Sequence, residues 1–162
     1  MTTDTLVPPR ARTAFARVGV WLAERSITAL RITLGLVFLG FGALKFIPGA
    51  SPAEELAVRT VETLSLGIVS GQAALLGTAT AETFIGLTLV TGKLVRAGLA
   101  VLAVSMVGIM SPLVLFFDEL FSGGPTLEAQ YVLKDIVLIA AGLVIATRTT
   151  APPKQGHVRN SA

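Results

Sequence analysis

Five ionisable side chains lie within or at the edges of otherwise apolar stretches: Arg31, Lys45, Glu82, Lys134 and Asp135. A charge surrounded by hydrocarbon is costly, so each needs a partner, a route to the surface or a function. Glu82 is the most informative. It sits near the middle of the apolar run Ala73 to Thr91, roughly 13 to 15 Å from either end at 1.5 Å per helical residue. Desolvation at that depth works against a lone charged carboxylate. Thr78, Glu82 and Gly86 follow at i, i+4, i+8, so a polar, small face surrounds it. Two roles are open: an interhelical hydrogen bond that pins a bundle, or a proton-accepting or ligand-binding carboxylate in an internal cavity.

Lys45 lies near the end of the run Leu30 to Ile47, where its long stem could snorkel to the surface unaided. Asp135 is too short for that. The two have similar predicted depth, and a bridge between them, first helix to last, is the preferred pairing, with Glu82 left open as the other partner for Lys45. Lys134 points about 100° away from Asp135 and is expected to reach a loop or headgroups. Arg31 is expected to snorkel to inner-leaflet phosphates. Ser111-Pro112 breaks another apolar run. Proline lacks an N–H and clashes with the carbonyl four residues back, here Gly108. The freed carbonyl and the Ser111 hydroxyl then need partners inside the protein. This break serves either packing alone or a ligand site. Together, Lys45, Glu82, Ser111, Pro112 and Asp135 outline one polar pocket, with Arg31 and Lys134 secondary.

Other chemistries are excluded or discounted. There is no cysteine, which removes disulfides and thiol exchange within the chain. The one histidine, His157, sits in a polar tail, so neither a Ser-His-Asp set nor a His/Cys metal site is available, and no metal is expected. No glycine pattern follows a strand as a dinucleotide fingerprint requires. Inside the spans only Met106, Met110 and Lys45 could ligate haem, and the methionines read as packing residues. The span glycines read as close-packing positions. The +3 net charge comes with no aromatic-interleaved basic patch, so nucleic acid is not an expected partner.

The elements that must position these residues are membrane helices. A hydrophobic fraction of 52% against 14% charged residues points to a membrane bundle. Spans are expected at about 27–47, 73–91, 94–117 and 131–147, each near the roughly 20 residues a bilayer needs. On the first span Arg31, Gly35, Phe38, Gly42 and Lys45 share one face, built to meet other helices. Ahead of it, residues 1–26 form a polar N-terminus, expected to be disordered over Met1 to Arg12. Thr13 to Arg25 is either an interfacial amphipathic helix with Trp21 at headgroup level or a plain extension of the first span. Pro48-Gly49 ends that span. Ser51-Pro52-Ala53-Glu54 supplies helix-start signals for an extra amphipathic helix with a stripe of Leu56, Thr60, Val61, Leu64 and Ile68. Gly92-Lys93 makes a tight turn, Asp118 to Pro125 a second acidic loop, and 148–162 a polar tail.

Cations cluster in the N-terminus (Arg10, Arg12, Arg17, Arg25), the middle turn (Lys93, Arg96) and the tail (Arg148, Lys154, Arg159). The other two loops carry six acids against Arg59 alone. The positive-inside rule then places both termini in the cytoplasm, and the pocket opens outward. The fold expected is all-α: an integral membrane, up-down four-helix bundle with one extra amphipathic helix.

In order and spacing, Leu30-Arg31, Gly35, Phe38, Gly42 and Lys45-Phe46 resemble the DoxX-like group of small four-helix bacterial membrane proteins, specifically its YkgB-type branch. Glu54, Leu56, Glu82, Ser111-Pro112-Leu113 and Leu133-Lys134-Asp135 continue the resemblance. It covers about Leu30 to Ala146 and implies a bacterial inner-membrane location. The branch is associated with resistance to reactive chlorine species. The wider group includes subunits tied to quinone-linked or thiol-linked oxidation. The resemblance therefore implies an accessory component of redox or oxidative-stress physiology rather than a stand-alone enzyme, with a quinone as the cofactor to consider. A membrane or periplasmic redox protein, a second copy of the chain and the bilayer are the partners left open. A proton-coupled transporter or pore using Glu82 is the alternative, and a structural assembly subunit the third reading.

Overall fold

The computed structural model describes residues 9–47, 49–51 and 54–150, and among these all regular structure is helical. α1 (Pro9–Leu44), α3 (Gly71–Thr91), α4 (Val95–Met110) with the short α5 (Pro112–Leu115), and α7 (Leu127–Thr150) supply four segments long and apolar enough to cross a membrane. The protein is a multi-pass membrane protein, and its exposed surface of Leu, Val, Ile and Phe belongs against lipid. α2 (Glu54–Leu64) is the extra amphipathic helix after the first span, and α6 (Phe117–Phe121) falls where an acidic loop was expected. Residues 1–8, Pro48, Pro52-Ala53 and the tail from 151 lie outside the described residues, with the expectations attached to them.

α1 is one continuous helix of 36 residues, about 54 Å at 1.5 Å per residue. Of the two readings for Thr13 to Arg25, the extension of the first span is what forms. Helix begins at Pro9, inside the stretch expected to lack structure, because proline suits a first helical turn whose N–H groups have no partner anyway.

Around the bundle each spanning helix packs on the next in sequence, and α1 against α7 closes the ring. The tightest contact is α1 on α3, and glycine makes it. A methyl group at Gly35 would lie 2.9 Å from Val90 N, one at Gly42 2.8 Å from Thr83 N, and one at Gly86 2.6 Å from Leu39 N. Those pairings make the two helices antiparallel and put the face Arg31, Gly35, Phe38, Gly42 and Lys45 onto α3. Below the middle of this seam a solid core forms from Leu34, Ile85, Leu89, Leu102, Met106 and Ile145. Arg31 belongs to that end: its guanidinium donates to the Leu89 carbonyl near the C-terminus of α3. The snorkelling expected for Arg31 is replaced by this interhelical bond, a cation meeting the negative end of a helix.

Candidate functional site

At the opposite end of the bundle the helices part around a cavity of about 360 Å³. α3 lines it with three successive pairs, Ala73-Ala74, Gly77-Thr78 and Ala81-Glu82, one turn apart on one face. α1 contributes Phe38, Phe41 and Lys45, and α7 contributes Tyr131 and Asp135. From the broken third span come Ser105, Gly108 and Pro112. The amphipathic face of α2 forms the remaining wall through Leu56, Thr60, Val61 and Leu64. Ile68, expected on that stripe, lies past the end of α2 and is 85% exposed.

Lys45 and Glu82 are both buried, and Lys45 Nζ donates to Glu82 Oε2 at 2.8 Å and Oε1 at 3.0 Å. The sequence argument joined Lys45 to Asp135 because their backbone depths match; the structure corrects that pairing. A helical Cα–Cβ bond tilts toward the N-terminus, so the stem of Lys45 runs back down α1 toward the Gly42–Thr83 level. There it meets the residue beside Thr83. Asp135 lines the same cavity, half-buried, and makes no hydrogen bond or ion pair among the described residues. Among the described residues Glu82 is the one hydrogen-bond acceptor for the Lys45 ammonium, which leaves an N–H beyond the two Glu82 bonds, and the Phe41 ring centroid lies 5.8 Å from Nζ. Pro112 is buried against the cavity.

Ser111 behaves differently from expectation. Its hydroxyl donates to Gly108 O at 2.7 Å, and its backbone N–H reaches Gly108 O at 3.2 Å. The carbonyl released by Pro112 is thus satisfied within its own turn, and Ser111 is not among the cavity-lining residues. Lys134 is exposed with Nζ 3.9 Å from the Tyr131 ring centroid, a cation–π contact on its own helix rather than a reach to a loop.

The sequence argument missed Tyr131 and the fastening of α2. Tyr131 is the chain's one tyrosine and precedes Asp135 by one turn, which was the available signal. α2 is tied in three places. Glu54 accepts from Gly49 N at 3.0 Å, Glu62 accepts from Gly71 N at 2.9 Å, and Arg59 grips Glu119 of α6 through two bonds of 2.7 and 2.9 Å. Arg59 also stacks 4.7 Å from the Phe116 ring. Its isolation among acids in sequence foreshadowed the bridge. This bond holds the Glu119 carboxyl below the usual carboxylate range and raises the Arg59 guanidinium further.

An apolar cavity with a buried ion pair and one unpaired carboxylate can bind a small, largely apolar molecule that carries hydrogen-bonding groups. The family model described as DoxX matches residues 26–117, more than half of the chain. The chain belongs to the DoxX family. The matched segment carries the second half of α1 and all of α2, α3, α4 and α5, and with them Lys45 just past α1, Glu82 and Pro112; it stops before the α7 residues Tyr131 and Asp135. No curated protein and no solved structure matches the chain.

Proposed function

We propose that this DoxX-family chain is an accessory membrane subunit of redox or oxidative-stress physiology that holds a quinone head group in the cavity beneath α2. The observation that carries the reading is the cavity itself: apolar and aromatic walls around Lys45, Glu82 and Asp135. A quinone ring is flat, apolar and bears two acceptor carbonyls. The free N–H of Lys45 and the Tyr131 phenol are donors suited to them, and Asp135 has no competing partner. With no cysteine in the chain, electrons would come from a partner oxidoreductase. The resemblance to the YkgB-type branch supports a role in reactive-chlorine physiology, and the cation placement supports a cavity on the outer side of the inner membrane.

Organic extraction of protein purified in mild detergent, followed by mass spectrometry, tests the reading. Near-stoichiometric quinone is expected, reduced in Lys45→Met and Asp135→Asn. A preparation with neither quinone nor a co-purifying oxidoreductase overturns it. The unpaired Asp135 beside an ion pair, in a bundle whose third span is broken, also supports a proton-coupled transporter. That second reading expects pH-dependent uptake in proteoliposomes, abolished by Glu82→Gln.

A further inference from the structure

The glycines of the spans differ in what a methyl group would meet; at Gly142 it would touch only the end of the Leu102 side chain, at 3.0 Å. At Gly35, Gly42, Gly86 and Gly98 an added methyl would collide with a neighbouring helix. At Gly77 and Gly108 it would meet nothing within 4 Å. Gly19 and Gly40 are open in the same way, but they do not line the cavity, whereas Gly77 and Gly108 do. Glycine is a poor helix former, so a mid-helix glycine without a packing reason needs another one. Gly77 is centred among Ala73, Ala74 and Ala81, which leaves this part of the α3 wall without bulky side chains, and Gly108 leaves a gap between Ser105 and Pro112 on the third span. Lys45, only 5% exposed, lines the same space with an N–H that has no hydrogen-bond acceptor among the described residues, beside the Phe41 ring 5.8 Å away.

We infer that Gly77 and Gly108 are specificity-determining residues that keep the cavity open as a seat for a flat ring, with a ring acceptor placed on the spare N–H of Lys45. The seat is a matter of shape, and only the carbonyl class of the ligand rests on the quinone reading. A side chain at either position occupies the volume the ring needs. Because these positions face open space, the substitution leaves the bundle folded.

The test uses the full-length protein in lipid nanodiscs, probed by thermal shift with 1,4-naphthoquinone and with naphthalene, the same ring system without carbonyls. The apo forms of Gly77→Ala and Gly108→Ala should melt no lower than wild type, while Gly86→Ala melts lower. The naphthoquinone shift should shrink in both alanine variants and vanish in Gly77→Leu. Undiminished shifts in Gly77→Leu and Gly108→Ala overturn the seat and leave the quinone reading standing. Equal wild-type shifts with naphthalene and naphthoquinone, both lost in Gly77→Leu, support the seat and overturn the quinone reading. No wild-type shift with either ring overturns both.

Discussion

Lys45 and Glu82 are held in a part of the protein where neither has another counter-ion at hydrogen-bond distance. Removing one partner leaves a buried charge, so Glu82→Gln is expected to cost about 3–5 kcal/mol. Replacing both with apolar residues of similar size, Lys45→Met with Glu82→Leu, should recover most of that loss. Thermal unfolding of Lys45→Met, Glu82→Leu and the double variant checks it, and strictly additive losses would contradict a direct pair. The importance of both side chains was legible in the sequence from their depth alone. Their pairing was one of two left open and the less favoured, because depth was compared at the backbone, and a lysine acts several ångströms from its Cα along a direction the chain sets. Ser111 makes a similar point: the sequence exposes a freed carbonyl, while the rotamer that satisfies it locally exists only in three dimensions.

Between elements, the α1–α3 seam depends on backbone-to-backbone approach, and a backbone cannot swing aside as a side chain can. Gly86→Ala would place a methyl 2.6 Å from Leu39 N, with an expected loss of about 1–3 kcal/mol from overpacking. Gly40→Ala, with nothing within 4 Å, should leave the unfolding midpoint unchanged or slightly raised. The helical seam was readable from the spacing of Gly35, Gly42 and Lys45. The role of Gly77 and Gly108 was not, since sequence gives the same letter to a glycine pressed by a neighbour and one facing a void. For α2 the critical tie is Arg59 to Glu119, and it titrates. The Glu119 carboxyl lies below its ordinary 4.5 when bridged. Its contribution is therefore fully present above that ordinary value and disappears as pH falls through the lower bridged one. Amide hydrogen exchange in α2, corrected for intrinsic rates, should accelerate across that acidic window. Glu119→Gln should remove this bridge's share of the transition and leave exchange faster above it, with the Glu54 and Glu62 ties still in place.

For the molecule as a whole, the distribution of cations predicts that the Gly92–Leu94 turn faces the cytoplasm and the Ser122–Pro125 loop the outside. The absence of cysteine makes this directly testable. In intact cells a membrane-impermeant maleimide should label Ser122→Cys and spare Lys93→Cys, and the reverse pattern would invert the bundle. Four spans and one amphipathic helix were legible because bilayer length and helical periodicity are strong constraints. A polar pocket around Lys45, Glu82, Pro112 and Asp135 was expected from the sequence, and all four line the cavity; its volume and its α2 wall were not, because they depend on how five helices fail to fill a common space.

The wall supplied by α7 also has a consequence in time. α1, α3 and the glycine seam between them are complete once the chain has been made as far as Thr91, and the core gains α4 soon after. Tyr131 and Asp135 arrive only with the last span. During membrane insertion, a nearly finished bundle therefore exists before its binding site does, and a chain cut short before Leu127 would keep the α1–α3 seam while leaving the cavity without its final wall. Possession of the full cavity thus marks a chain made at least through α7, and a ligand bound there would stabilise such copies over those cut short before it.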